Sequence, residues 1–233
     1  MSCDYGYINA RIRAMKSFLF KEEDYLGALR QRNLDEFASY LSSQPSYSAD
    51  LRQIIVNVPA RFVCDEALKL NLCRIFRKIL KFSEGEPKNL ILTLLGWWDI
   101  YNLKTIIRGI ISFKDKIEII QALIPAGRWD LEFLSRLSEA KDLKTLANNL
   151  VIFSEDALEK ELARLISDTE DVPLEILENS LQEAYFRKAQ EYLSKGNNNA
   201  RIILDYLSLQ IDFLNILSVL KKISQVSASI NFI

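Results

Sequence analysis

The sequence predicts an all-α protein built of internal helical repeats of roughly a hundred residues. Three observations lead there. The 233 residues hold only seven Gly and five Pro, about 5% of the chain against about 12% in ordinary globular proteins. Sandwiches and barrels need many turns, and turns need those residues. Apolar residues recur at three- and four-residue spacing along most of the chain. Finally, a ten-residue pattern is written twice, once from Asp99 to Arg108 and again from Asp212 to Lys221. Each copy reads Asp, two apolar residues, Asn, an apolar residue, any residue, Thr or Ser, two apolar residues and a base.

The elements follow in order. Residues 5–20 place Tyr7, Ile8, Ile12, Met15 and Leu19 at helical spacing. Residues 24–41 read as two short helices broken near Arg32-Asn33. SSQPSYSAD is a connection, and Ser48 followed by Asp50 marks an N-cap with an acid in the first turn. QIIVNVP, residues 53–59, is β-branched and read as helix from context, with Pro59 ending or kinking it. Residues 62–82 form an amphipathic helix, and SEGEPKN, residues 83–89, a loop. A long helix over 90–112 carries the first copy of the pattern. Another spans 115–124, Pro125-Ala126-Gly127 breaks the chain, and Trp129 to Leu150 supplies one or two more. Helices at 155–166, 173–194 and 200–223 complete the walk, with Gly196 and three Asn as a stop signal.

The signals repeat in sequence order. Asn9, Asn102 and Asn215 lie 93 and 113 residues apart, and the cap Tyr47-Ser48-Ala49-Asp50 recurs as Phe153-Ser154-Glu155-Asp156. The first round is worn, with Gly6 where Asp is expected. The division expected is 1–97 for one repeat unit, 98–210 for a second, and 211–233 for the start of an incomplete third.

On a helix, Asp99, Asn102 and Thr105 share one stripe, beside an apolar stripe of Ile100, Leu103 and Ile107. Asp212, Asn215 and Ser218 stand likewise beside Phe213, Ile216 and Leu220. An Asn so surrounded is expected to be buried and hydrogen-bonded, because an orphaned buried amide costs about 1–3 kcal/mol. The six polar residues are therefore predicted to form a structural clasp that sets one register between packed helices.

Catalytic chemistry is hard to place. The chain has no His, which removes the commonest general base and metal ligand. Cys64 and Cys73 are nine apart, no usual zinc spacing, and with Cys3 they form no paired framework. Such an odd, sparse set suits a reducing cytosol. No P-loop or dinucleotide fingerprint occurs. No catalytic residue, cofactor or metal is expected. Net charge is −1, so no global field draws the chain to nucleic acid. The charge is uneven, however: residues 61–81 carry a local +4 and residues 154–183 a local −8. These are solvated helix faces or docking faces for partners of opposite sign. The most apolar run, LILTLLGWW at 90–98, falls short of the ~20 residues a spanning helix needs. The Trp97-Trp98 pair is read as core.

The stretches YGYINARIRAMKS, WDIYNLKTIIRG, IPAGRWDLEFLSRLSEAKDLKTLANNL and DYLSLQIDFLNILSVLKK together resemble the C-subunit family of V/A-type ATPases (ATP synthases), whose eukaryotic counterpart is the d subunit of the V-ATPase. The resemblance covers nearly the whole chain in order. It implies an all-helical fold of three similar domains arranged as a funnel, of which this chain holds two and the beginning of a third. It implies a non-catalytic central-stalk subunit on the cytoplasmic face of the membrane. There it seats the stalk on the proteolipid rotor ring and passes rotation between ATP chemistry and ion translocation. Partners would be the other stalk components and the ring, with membrane attachment through protein contacts only. Docking candidates are the basic faces at Arg11, Arg13, Arg74, Arg77 and Lys78 and the acidic stretch around Glu170 and Asp171. The competing readings are a free-standing all-helical adaptor and a helical enzyme working through carboxylates and metal.

Overall fold

A computed structural model describes residues 5–54, 60–153, 156–168 and 173–230. Among them are twelve helices and no strand: α1 (Tyr5–Lys16), α2 (Glu22–Leu29), α3 (Leu34–Ser43), α4 (Ser48–Ile54), α5 (Ala60–Lys81), α6 (Gly85–Ile111), α7 (Lys116–Ala122), α8 (Leu131–Leu137), α9 (Leu143–Phe153), α10 (Ala157–Ser167), α11 (Leu174–Leu193) and α12 (Asn198–Ile230). The chain is all-α, as its composition and periodicity predict.

Several helices start where an Asx side chain accepts from the amide three residues on. Asn33 takes the Glu36 N–H at 2.9 Å, Asp115 that of Glu118 at 2.8 Å, and Asp130 that of Phe133 at 2.8 Å. Asp142 does the same for Thr145 at 2.7 Å, and that bond holds its carboxyl below the usual carboxylate range.

Three expectations change. The loop predicted at 83–89 is shorter, because α6 opens at Gly85. Gly85 has φ 59°, a left-handed turn into the helix that glycine takes without a Cβ penalty, and Pro87 is tolerated in the first turn. Helix α12 runs to Ile230 rather than 223. Trp97 and Trp98 are half-buried rather than core. Helix α4 ends at Ile54, so the rest of QIIVNVP, like the repeated cap at Ser154, lies outside the described residues.

Packing divides the chain into two compact units, one up to Glu139 and one from Ala140. In the first, α3, α4 and α5 enclose a core of Leu41, Leu51, Ile54, Val63, Cys64 and Ala67, with Phe20, Phe37 and Tyr47 packed against it. Burial pushes the Cys64 and Cys73 thiols up from their ordinary range. Helix α6 buries Ile100, Leu103, Ile106 and Ile107 almost completely. Helix α7 folds back onto it at Gly109, where any Cβ would strike the Ile119 side chain.

In the second unit, α10 packs between α9 and α11, and α11 packs on α12. Leu146, Leu150, Leu162, Ile166, Leu177 and Leu181 fill its core. Helix α12 contributes Ala200 and Leu207, and no described side chain beyond Leu207 is buried. Asn198–Leu220 is long and apolar enough to cross a membrane by length and composition, and 6% of it is buried. Its apolar residues come in short runs around Asp205 and Asp212, so no single run marks it in the sequence.

Helix α6 ends in a Schellman turn. The Phe113 N–H donates to the Ile110 carbonyl at 3.1 Å and the Lys114 N–H to that of Gly109 at 2.9 Å. Phe113 sits at the left-handed position with φ 53° and its side chain 95% exposed. A non-glycine residue there costs about 1 kcal/mol. Phe113→Gly should therefore raise stability by about 0.5–1 kcal/mol. Thermal unfolding is expected to show a gain of about 2–4 °C, and an unchanged or lower midpoint would contradict this account.

Candidate functional site

The first copy of the pattern does structural work in α6. Asn102 is fully buried. Its Nδ2 donates to the Ile124 carbonyl at 2.8 Å, and its Oδ1 accepts the Ile124 N–H at 2.7 Å. One amide thus satisfies both backbone groups of a residue outside any helix. One turn earlier, Asp99 is 7% exposed. Its Oδ2 accepts the Arg128 N–H and its Oδ1 the Trp129 N–H, both at 3.0 Å. Together the two side chains grip the loop Leu123–Trp129 at both ends.

The loop's own sequence permits this. Pro125 disfavours a helical Ile124, so its N–H is open to the amide, and its C=O accepts both from the amide and from the Ala126 N–H at 2.7 Å. Gly127 lies so close to Asp99 that any Cβ would overlap the carboxylate. Trp129, 6% exposed, tilts its ring against Phe133 at 5.3 Å.

A second polar lock lies under the basic segment. Asp50 of α4, 5% exposed, meets Asn71 and Arg74 of α5. Asp50 Oδ2 accepts from Asn71 Nδ2 at 2.9 Å and from Arg74 Nη2 at 2.9 Å, while Oδ1 accepts from Arg74 Nε at 3.0 Å. Asn71 and Arg74 also both donate to the Ser46 carbonyl, at 2.6 and 3.1 Å. The hydrogen bond to Asp50 raises the Arg74 pKa further above its ordinary value.

The remaining predicted residues scatter. Thr105 donates to Tyr101 in its own helix at 2.9 Å and takes no part in gripping the loop. In the second copy, Asp212, Asn215 and Ser218 are exposed on α12, and Ser218 donates to Leu214 of its own helix at 2.9 Å. The Arg11 guanidinium lies over the rings of Phe82 at 5.3 Å and Tyr7 at 5.8 Å, a cation–π arrangement. Arg13, Arg77 and Lys78 are exposed. Glu170 and Asp171 lie outside the described residues. Sequence reasoning does not find Gly127, Asp50 or Asn71 as members of these clasps. The triplet Pro125-Ala126-Gly127 is visible there only as a break. Among the described residues, no group of three or more His, Cys, Asp or Glu is placed to hold a metal ion.

The profile of a family described as ATP synthase (C/AC39) subunit matches residues 8–231, a span that takes in both copies of the pattern and both compact units. The chain belongs to that family. Among its relatives, the C subunit of the A-type ATP synthase of Archaeoglobus fulgidus is 28% identical over 93% of this chain and 60% of its own length. The C subunit of the V-type ATP synthase of Deinococcus radiodurans is 31% identical over the same shares. The A-type counterpart from Haloferax volcanii is 30% identical over 90% of this chain and 59% of its own. The chain thus spans about 60% of the length of these family members.

Two sets of substitutions test the clasps in this family member. Asn102→Ala leaves a cavity at a fully buried position and takes the partner from the half-buried Ile124 N–H, while the Ile124 carbonyl keeps the Ala126 N–H at 2.7 Å; it should cost about 2–3 kcal/mol. Gly127→Ala drives a methyl into Asp99 and should cost about 2 kcal/mol. Thermal unfolding is expected to fall by roughly 5–12 °C in each; losses under 1 °C would contradict the geometry. Arg74→Met leaves the Asp50 carboxylate buried and unpaired. Because the guanidinium is half-exposed, the expected loss is about 2 kcal/mol, recovered in large part by the double variant Asp50→Leu/Arg74→Met. A double-mutant cycle without coupling would show that the pair is inert.

Proposed function

We propose that this chain is a non-catalytic central-stalk subunit of a V/A-type ATPase or ATP synthase. In this reading it joins the stalk to the membrane rotor ring on the cytoplasmic face and passes rotation between them. The observation that carries the reading is the family match across residues 8–231, with relatives named as the C subunits of A- and V-type ATP synthases. The architecture suits the task. A coupler needs stiffness and broad contact surfaces rather than a reactive centre, and close-packed helices supply both. Polar clasps that fix the register of α6 against its loop add resistance to slippage.

The partners in this reading are the other stalk components and the proteolipid ring, and attachment to the membrane runs through them. The exposed basic residues Arg13, Arg77 and Lys78, with Arg11 beside them in type, are the docking face for an acidic partner surface. The acidic stretch at Glu170 and Asp171 would meet the opposite sign. The repeat division at 97/98 and 210/211 belongs to the same reading: two full units and the opening helix of a third.

Capture on the immobilised chain tests it. At low salt, the stalk and ring proteins of the same organism's rotary ATPase should be retained. Retention should drop about tenfold or more for Arg13→Glu/Arg77→Glu/Lys78→Glu, and should weaken as salt rises. No retention of either partner, alongside a longer relative that does retain them, would favour the free-standing adaptor instead.

A further inference from the structure

The two copies of the pattern superpose at a constant offset of 113 residues. Asp99, Ile100, Asn102, Leu103, Ile106 and Ile107 of α6 fall on Asp212, Phe213, Asn215, Ile216, Val219 and Leu220 of α12. In α6 all six are at most 7% exposed. In α12 the four apolar members are 60%, 58%, 56% and 55% exposed, and both polar members are exposed as well. The same chemistry on the same face is covered in one helix and bare in the other.

An apolar stripe alone would accept many partners, but the two polar groups narrow the choice. At the α6 face, the amide bridges the C=O and N–H of one residue. The carboxylate takes two consecutive N–H groups that follow at the fourth and fifth positions after it. Only a loop that frees those backbone groups, and has glycine where it crosses the carboxylate, fits that arrangement. We propose that this face of α12 docks a polypeptide loop of the same build as Ile124–Trp129: apolar, Pro, small, Gly, basic, aromatic.

Other occupants fit less well. A lipid surface is opposed by a carboxylate and an amide near the middle of the face, since a buried charge in hydrocarbon costs about 3 kcal/mol or more. A second copy would have to give up its own loop, already held by Asp99 and Asn102. The longer relatives leave about 40% of their length unmatched, ample for such a loop. The proposal goes beyond the rotor reading and does not depend on it.

Two formats test it. In the first, the intact chain is titrated with a labelled peptide of its own residues 116–133, KIEIIQALIPAGRWDLEF. In the second, residues 121–139 are appended after Ile233, which restores the 113-residue offset in one polypeptide. Asp212→Ala/Asn215→Ala is the variant in both, and its exposed positions leave the 233-residue chain's own thermal midpoint within about 1 °C. The expected results are saturable peptide binding weakened about tenfold or more by the variant, or a fall of several degrees in the midpoint of the extended chain alone. A response in either format supports the proposal. If the variant changes nothing in both formats, the proposal is overturned. It is equally overturned if the variant abolishes self-association or flotation with phosphatidylglycerol vesicles while both loop formats stay silent. No ATPase component enters either assay, so its outcome is separate from that of the stalk-and-ring capture.

Discussion

The hydrogen-bonded pair between the Asn102 amide and the backbone of Ile124 constrains everything around it. A fully buried amide has a donor and an acceptor to satisfy, and so does a residue that lies outside a helix. Each supplies what the other lacks, and only one placement of the loop achieves it. With Ile124 anchored, the chain crosses Asp99 at Gly127 and delivers the amides of Arg128 and Trp129 to the carboxylate. The next residue, Asp130, caps α8. The direction of α8 therefore follows from a side chain of α6 through six intervening backbone units.

The lock at Asp50 works by a different route. There a carboxylate is gripped, and the cost of burying it is offset by the Arg74 and Asn71 donors, which the shared Ser46 carbonyl holds in place. Ion pairs of this kind contribute less net stability than their distances suggest. What they do is forbid alternatives, because sliding α5 by one residue strands the carboxylate. Charge in this chain thus has two fates. Arg74 turns inward to a structural partner, while Arg77 and Lys78, one turn further on the same helix, stay in water.

Much of this is legible in the sequence. Spacing locates the helices, because burial of one face imposes period 3.6 whatever the partner is. The Asp-x-x-Asn pattern points to a buried polar clasp in α6 because amides are scarce among so many apolar neighbours. What the pattern cannot disclose is the other half of the contact, since Ile124 takes part through its backbone, which every residue carries. Gly127 reads as a loop breaker, yet its small size is what lets the chain cross Asp99. Arg74 looks like one base among several, because its difference from Arg77 is the presence of Asp50, twenty-four residues earlier and invisible to local spacing. Spacing starts α6 five residues late because Pro87 signals a loop unless it falls in a first turn.

The contrast between α6 and α12 separates what a motif specifies from what completes it. Both helices carry the same pattern at the same register, yet burial differs throughout the face. Helix formation therefore does not require the clasp to be closed, and α12 stays helical with its polar pair in water. Closing the clasp adds something else. Apolar ridges can shift along one another with modest loss, since one leucine replaces another against the groove. An amide bridging one residue's N–H and C=O admits no such shift, because a one-residue slip orphans two buried groups at about 1–3 kcal/mol each.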